Sequence, residues 1–258
     1  MNNQTKQPRL LTAVVLPWVL PVLIIIGWQI TASLELISAS VLPSPTDVVS
    51  QAVTLTKSGE LQKNMSISLF RATSGLLIGG LIGFAFGVFN GVSNYARLFF
   101  NSSIQMVRNI PHLALIPLII IWMGIGEDAK IALVAIGVLF PIYINTFHGI
   151  RSVDQKLIEM GHSYGLSKRQ MFTKIIFPGA LPSILMGLRY ALGVMWTTLI
   201  VSETISSSSG IGYMETNAQQ FLDMPTIFLS ILIYALLGKL SDWIALSFES
   251  ILLNWQKG

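Results

Sequence analysis

The chain has 258 residues, of which 52% are apolar and only 11% charged, with a net charge of +4. This balance excludes a soluble domain, whose surface needs more polar side chains, and indicates lipid as the solvent. The basic residues are scattered between apolar runs, which argues against a nucleic-acid partner. The absence of cysteine excludes disulfides, thiolate metal sites and a cysteine nucleophile.

Six apolar segments are each near the ~20 residues that a helix needs to cross ~30 Å of hydrocarbon. They cover residues 10–32, 67–92, 98–123, 131–150, 178–202 and 225–248. Lys6 and Arg9 precede the first segment, whose length favours a retained span, although residues 38–40 leave a cleaved signal peptide open. The expected fold class is all-α, a polytopic membrane protein of about six transmembrane helices. We expect residues 1–60 to hold the first span and an outer interfacial segment, and residues 61–250 to form the transmembrane domain.

A helix start is predicted in the loop between the first two spans. Ser44 is a residue type that caps helix N-termini, Pro45 suits the first helical position, and Asp47 suits the first turn. The segment predicts a short helix at the membrane interface.

The second span carries a glycine at every fourth position. These glycines are Gly75, Gly79, Gly83, Gly87 and Gly91. Such a column lets another helix approach backbone to backbone, where dispersion contacts drive association in lipid. The pattern predicts a helix-packing surface, against the alternative that glycine is simply common in membrane helices.

The third span is interrupted by polar residues and prolines, namely Arg108, Asn109, Pro111, His112 and Pro117. A broken or partly re-entrant helix is therefore expected. Arg108, Asn109 and His112 are candidate residues for a substrate path, with Arg108 and His112 four residues apart on one helix face. A snorkelling arginine and a broken helix end would give the same residues, so both interpretations stay open.

Residues 151–177 form a loop that is too polar for lipid and too long for a simple turn. As a helix, its first part has a short apolar face made by Leu157, Met160, Tyr164 and Leu166, and Gly165 is placed to end it in the left-handed conformation. A small amphipathic helix outside the membrane indicates docking to a partner protein.

The same loop carries a spaced motif. Glu159-Met160-Gly161 is followed by three residues, Gly165, nine residues and then 175–178, Ile-Ile-Phe-Pro. This resembles the loop of permeases in binding-protein-dependent ATP-driven (ABC) importers, where the pattern is Glu-Ala-Ala, three residues, Gly, nine residues, Ile, any residue, Leu, Pro. The departures are Met160, Gly161 and Phe177. The resemblance implies a type I ABC importer permease fold, with a cytoplasmic coupling helix between spans four and five.

By that resemblance the coupling helix fits a cleft on a separate ATPase subunit. Glu159 fixes the helix against its neighbours and Gly165 permits the sharp exit. The residues assigned to coupling are Glu159, Met160, Gly161, Ser163, Tyr164, Gly165 and Leu166. No stretch of the sequence matches the phosphate-binding motif Gly, four residues, Gly-Lys-Ser/Thr. The nearest stretch, Gly238-Lys239-Leu240, has leucine where the motif needs a hydroxyl residue. ATP and Mg²⁺ are therefore expected on the partner ATPase, and no cofactor or enzymatic activity in this chain.

The wider chain resembles the subgroup of these permeases that carries sulfonates, taurine, nitrate and related anions. The similar stretches are residues 42–45, 108–118, 140–146, 202–205 and 209–213. The resemblance implies import of a small organic anion across a bacterial cytoplasmic membrane, with aliphatic sulfonates the expected substrate and taurine, nitrate or bicarbonate the alternatives. It also implies two permease copies, two ATPase copies and one external binding protein.

Polar residues inside the fifth span are candidates for the path of the anion. Arg189, Trp196 and Glu203 recur every seven residues and so share a helix face. Arg189 would attract the anion, Trp196 would narrow the path and Glu203 would brace an outer gate. The alternative is that Arg189 and Glu203 pair with other helices and hold the bundle together. Lys239 and Asp242, three apart in the last span, are expected to neutralise one another.

The distribution of lysine and arginine predicts the orientation, since cytoplasmic loops carry the excess. Placing both termini in the cytoplasm puts Lys57, Lys63, Arg71 and Lys130 outside, and ten inside: Lys6, Arg9, Arg97, Arg108, Arg151, Lys156, Lys168, Arg169, Lys174 and Lys257.

Two other classes of membrane protein fit less well. A secondary transporter driven by an ion gradient needs no docking helix, and the paired half-repeats of many such carriers are not visible. A membrane enzyme would need a chemical motif that the chain lacks. The three histidines, His112, His148 and His162, have no metal-ligand spacing, so no metal site is expected.

Overall fold

The computed structural model describes residues 10–254, which are mostly helical and contain no strand. The helices are α1 (Leu10–Ser33), α2 (Pro45–Lys57), α3 (Glu60–Val92), α4 (Asn94–Arg108), α5 (Ile116–Met123), α6 (Glu127–Arg151), α7 (Gln155–Ser163), α8 (Lys168–Met171), α9 (Phe177–Ser206), α10 (Ile211–Gln220) and α11 (Met224–Leu252). A 3₁₀ turn at His112–Leu115 precedes α5, and a π-helical turn at Phe172–Ile176 joins α8 to α9. The expected all-α class is confirmed.

Five of these helices are long and apolar enough to cross a membrane, and a bent pair of helices adds a sixth candidate span. The five contain the predicted first, second, fourth, fifth and sixth spans. The bent pair, residues 102–108 and 112–123, turns by 84°. It corresponds to the predicted third span, which is broken as the prolines indicated.

The position of Pro111 corrects one expectation about the third span. Helix α4 ends at Arg108, and Pro111 precedes the 3₁₀ turn that begins at His112. Proline has no amide hydrogen to donate and disfavours helix in the residue before it. Arg108 and His112 therefore do not share a helix face, although they are four residues apart.

The core of the bundle is formed by α3, α6 and α9. The glycine column of α3 packs against α6 along its whole length: a Cβ on Gly79 or Gly83 would collide with the backbone carbonyl of Ala135 or Leu139. A Cβ on Gly75, Gly87 or Gly91 would instead collide with side-chain atoms of Val134, Thr146 or Ile150, respectively. The column is packed against α6 of the same chain, so it is not free to contact a second copy.

Helix α2 begins where its capping residues predicted. The Ser44 side chain accepts a hydrogen bond from the backbone N–H of Asp47, and the Asp47 carboxylate accepts one from the backbone N–H of Ser44. The Ser44 hydroxyl, which donates to the Asp47 carboxylate at 2.6 Å, and the Ser44 backbone N–H hold the pKa of the Asp47 carboxyl below its usual value. Gln51 then donates to Thr226 at 2.8 Å and joins α2 to α11.

Two basic residues assigned to the outer loops lie inside the bundle instead. Arg71 is in the fourth turn of α3 and is fully buried, and Lys130 is in the first turn of α6 and is 3% exposed. Both are held by acidic partners, which explains why they are tolerated there. Lys57 and Lys63 remain exposed, while Lys6, Arg9 and Lys257 lie outside the described residues.

Candidate functional site

Helix α7 ends the way its sequence predicted. Gly165 has a φ of +71°, the N–H of Leu166 donates to the Gly161 carbonyl, and the N–H of Gly165 donates to the His162 carbonyl. This pair of bonds satisfies the last carbonyls of the helix and turns the chain sharply. Helix α8 then begins at Lys168, and the side chains of Ser167 and Gln170 cap its start.

The apolar side chains of α7 are exposed. Tyr164 is 79% exposed, and Leu157 and Met160 are each nearly half exposed. Glu159 and Ser163 are also exposed, with Ser163 donating to the Glu159 carbonyl, while Leu166 is half-buried. An exposed apolar patch on a short helix marks an interaction surface.

Gly161 stands where the family pattern has an alanine. It is buried, and a Cβ at this position would lie 2.7 Å from Met171 Cε and from Ile175 Cδ1. Helix α7 therefore packs closely on the helix that leads into α9. That helix is continuous from Lys168 to Ile205, so movement of α7 can be transmitted to the span.

The opposite end of the bundle, called here the α10 end, contains an ionic network that is buried except for Glu127, whose side chain is 51% exposed. Arg71 donates to Glu203 at 2.8 Å, and both side chains are fully buried. The same guanidinium donates twice to Glu127, each at 2.6 Å, and to the Ser209 carbonyl at 2.7 Å. Lys130 lies 3.5 Å from Glu127. Two cations thus balance two carboxylates, which is the condition for burying charge.

The network also caps α10. Three successive backbone N–H groups donate to side chains of other helices: Gly210 to Asn64, Ile211 to Ser68 and Gly212 to Glu203, each at 2.9 Å. These amides are the unsatisfied donors of a helix N-terminus. Side chains of α3 and α9 therefore fix the start of α10. Gly210 has a φ of +109° and abuts the Glu203 carboxylate, so only glycine fits there.

The three predicted path residues of α9 all contact α11. Arg189 donates to Asp242 at 2.6 Å, Trp196 donates to Ser241 at 2.9 Å, and Glu203 accepts from Tyr234 at 3.2 Å. Trp196 and Glu203 are buried, whereas the Arg189 side chain is 46% exposed. The pairing of Arg189 and Glu203 with other helices agrees with the alternative interpretation, in which they hold the bundle together.

Arg189 also lines a groove of about 630 Å³ between α9 and α11. The groove is bordered by Met186, Arg189, Tyr190, Gly193, Val194, Thr197 and Asp242. Asp242 contacts Arg189 more closely than Lys239, whose Nζ is 3.8 Å away. The expected Lys239–Asp242 pair is therefore part of a three-residue cluster that also contains Arg189.

The predicted cluster in the third span is separated by the bend. Arg108 and Asn109 are exposed at the end of α4, where Arg108 lines a small pocket with Gln105 and His148. His112 instead bonds Thr198 of α9 at 3.0 Å. The described residues contain no group of histidines and carboxylates able to hold a metal ion.

Sequence reasoning missed Arg71, Ser68, Asn64 and Asp242 as members of these sites. One signal was available for Arg71, because it falls inside the predicted second span, where a charged residue requires a partner. Ser68 and Asn64 carry no such signal, since serine and asparagine are tolerated in helices without a charged partner.

Comparison with known proteins identifies the family. Residues 75–251 match the model of the binding-protein-dependent transport system inner membrane component. The chain belongs to this family. Its relatives include two aliphatic sulfonates transport permease proteins named SsuC. The one from Escherichia coli K12 is 53% identical and covers 93% of this chain and 92% of its own. The one from Bacillus subtilis 168 is 44% identical and covers 92% and 86%.

A solved structure shares the fold. An amino acid ABC transporter chain superposes with a TM-score of 0.60 at 19% identity, over 80% of this chain and 97% of that chain. Together with the apolar helices, the family places the chain among multi-pass inner membrane proteins. It is an ABC transporter permease that works with a substrate-binding protein and an ATPase.

Proposed function

We propose that this chain is the permease subunit of an ATP-driven importer for aliphatic sulfonates. The observation that carries the proposal is its 53% identity, over 93% of the chain, to a permease named for aliphatic sulfonates. A second permease with the same name is 44% identical.

The thermodynamics of the substrate require an energy source. A sulfonate is a permanent anion at neutral pH, and moving one negative charge into an inside-negative cell costs about 2.3 kcal/mol per 100 mV. A thousandfold concentration adds about 4 kcal/mol. Since this chain has no nucleotide-binding motif, ATP and Mg²⁺ bind the partner ATPase, and this chain is not itself an enzyme.

Helix α7 is the coupling helix of the proposed importer. Its exposed apolar residues Leu157, Met160 and Tyr164 enter a cleft of the ATPase, and Gly165 sets the exit of the chain. The close packing of Gly161 on Met171 and Ile175 supports transmission of the ATPase stroke to α9.

The orientation follows from the same assignment. An ATPase is cytoplasmic, so the α7 end faces the cytoplasm, together with both termini and the exposed basic residues of α7 and α8. The α10 end then faces the external binding protein. Four basic residues were assigned to the outer side, and two of them, Arg71 and Lys130, are buried. Only Lys57 and Lys63 of these four are exposed. The low number of exposed cations on the outer side supports this orientation, because the excess of lysine and arginine belongs to the cytoplasmic side.

Two permease copies enclose the path in the assembled importer, with two ATPase copies. The support is the groove between α9 and α11, where Arg189, Asp242 and Lys239 are 46%, 30% and 77% exposed in mid-span. Charged groups at this depth face protein or a water-filled path and avoid lipid. Arg189 faces this path, whereas Trp196 and Glu203 are buried inside the bundle and support the helices that line it. Arg108 and Asn109 lie toward the cytoplasmic mouth, whereas His112 lies further into the bundle, beside Thr198 of α9.

Growth of a bacterial strain that lacks its own sulfonate permease tests the substrate. The strain receives this chain with its cognate ATPase and binding protein, and ethanesulfonate is the sole sulfur source. Growth on ethanesulfonate is the expected result. Growth on taurine and not on ethanesulfonate would contradict the assignment to unsubstituted aliphatic sulfonates and keep the family.

A further inference from the structure

Three charged side chains meet in mid-span in the groove between α9 and α11. Asp242 Oδ1 accepts from Arg189 Nε at 2.6 Å, and Asp242 Oδ2 lies 3.8 Å from Lys239 Nζ. One carboxylate is thus shared by two cations, which leaves one positive charge. The contact to Lys239 is an ion pair that is too long for a hydrogen bond.

Arg189 has donors to spare. An arginine side chain carries five N–H donors in a planar fork that matches the oxygens of an anion. In the described structure the bond to Asp242 uses Nε, which leaves the two Nη nitrogens to meet a further acceptor. The guanidinium is therefore neutralised by Asp242 without being enclosed by it.

We infer that this cluster is a transient anion site in which the sulfonate replaces Asp242 on Arg189, while Asp242 moves onto Lys239. The inference rests on the proposed function and names its site within the path. One guanidinium–carboxylate pair opens and one guanidinium–sulfonate pair forms. Asp242 stays paired, because Lys239 needs to approach by only about 1 Å to reach hydrogen-bond distance.

The charge count fits one monovalent anion. The cluster holds one positive charge when empty, and the entry of one sulfonate makes it neutral. Return of Asp242 to Arg189 restores the first pair and expels the anion. A carrier needs such a site, since an anion held too tightly would not leave.

The walls of the groove suit a short aliphatic tail. Met186, Tyr190 and Val194 supply apolar surface beside Arg189. Gly193, one turn further along α9, has no atom within 4 Å of the place where a Cβ would stand. The site therefore combines a cation for the sulfonate head with an open apolar wall for the tail.

Equilibrium dialysis of labelled ethanesulfonate against the purified permease–ATPase complex, without binding protein, tests the exchange. Asp242→Asn removes the resident carboxylate and should tighten binding about tenfold. Arg189→Gln should abolish binding. Lys239→Gln leaves Asp242 no second partner, so it should weaken binding at least threefold. Glu249→Gln is the control, because Glu249 is in α11 but outside the residues that line the groove.

The result that overturns the inference is a wild-type complex that imports ethanesulfonate with ATP, while its Asp242→Asn and Lys239→Gln variants bind like the wild type. Dissociation of the Asp242→Asn complex into single permeases, without tighter binding, would also overturn it. Should Asp242→Asn fail to fold, the more exposed Lys239→Gln decides alone. A wild-type complex that imports no sulfonate would overturn the proposed function as well.

Discussion

Arg71 of α3 and Glu203 of α9 form an ion pair of 2.8 Å in which both side chains are fully buried. Glu203 also accepts from Ser68, from the backbone of Gly212 and from Tyr234. The pair therefore joins α3, α9, α10 and α11 at the α10 end of the bundle. Burial of two charges is tolerated because each nitrogen of the Arg71 guanidinium and each oxygen of the Glu203 carboxylate has a hydrogen-bond partner.

Removing one member of this pair should be severely destabilising. Arg71→Ala leaves the buried Glu203 without its cation, and loss of one partner of a buried pair costs about 3–5 kcal/mol. The expected result is a much lower melting temperature of the detergent-purified permease. Arg151→Ala is the control, since Arg151 is exposed and bonds Asn94, and it should change stability by less than about 1 kcal/mol. Equal melting temperatures for the two variants would contradict the role of Arg71.

The contact between α3 and α6 predicts a contrast between two adjacent glycines. Gly79→Ala places a Cβ against the backbone of Ala135, which cannot yield, and should cost about 1–3 kcal/mol. Gly80→Ala meets only Ile142 Cδ1, at 3.2 Å, so it should be neutral or gain up to about 1 kcal/mol from helix propensity. Melting curves of the two variants measure the difference, and similar curves would show that the column is not closely packed.

The exit of α7 predicts a defect in coupling without a defect in insertion. Gly165→Val forces a β-branched residue into a left-handed conformation, at a cost of about 1–2 kcal/mol. The last turn should distort, and the amount of ATPase that co-purifies should fall severalfold. Gly124→Val is a matched control, because Gly124 also has a positive φ, +77°, and open space around it, but lies between α5 and α6. Normal co-purification of the Gly165 variant would argue against α7 as the coupling helix.

Glu215 in α10 gives a prediction for pH. Burial raises the pKa of this carboxyl above its ordinary value. A group with a raised folded pKa ionises at the expense of the folded state, so stability falls as pH rises from the unfolded pKa, about 4.3, through the folded pKa. Glu215→Gln removes the ionisable group and therefore removes this loss of folding stability at higher pH.

The melting temperature of Glu215→Gln should therefore exceed that of the parent at pH 7, and the difference should vanish near pH 4. A difference that is independent of pH would mean that ionisation of Glu215 does not oppose folding.

The positions of the spans and of several helix ends could be predicted from short stretches of the sequence. Segment length and hydropathy set the span positions, Ser44 and Asp47 fixed the start of α2, and Gly165 fixed the end of α7. Each of these features depends on residues close together in the sequence. The break in the third span also follows locally, from Pro111.

Partners distant in sequence could not be predicted from one chain. Arg71 and Glu203 are 132 positions apart, and nothing local indicates that they meet. The glycine column predicted a close helix contact, but it did not indicate whether the partner helix would be α6 or a helix of a second copy. The same limit applies to Arg189 and Asp242, because the charge of Asp242 pairs equally well with nearby Lys239 until the helices are packed.

ATP-dependent uptake of labelled ethanesulfonate into proteoliposomes tests the central claim most directly. The vesicles hold this chain with its ATPase, and the binding protein is added outside. The account predicts uptake that requires all three proteins and ATP. Uptake by this chain alone, driven by an ion gradient, would contradict it.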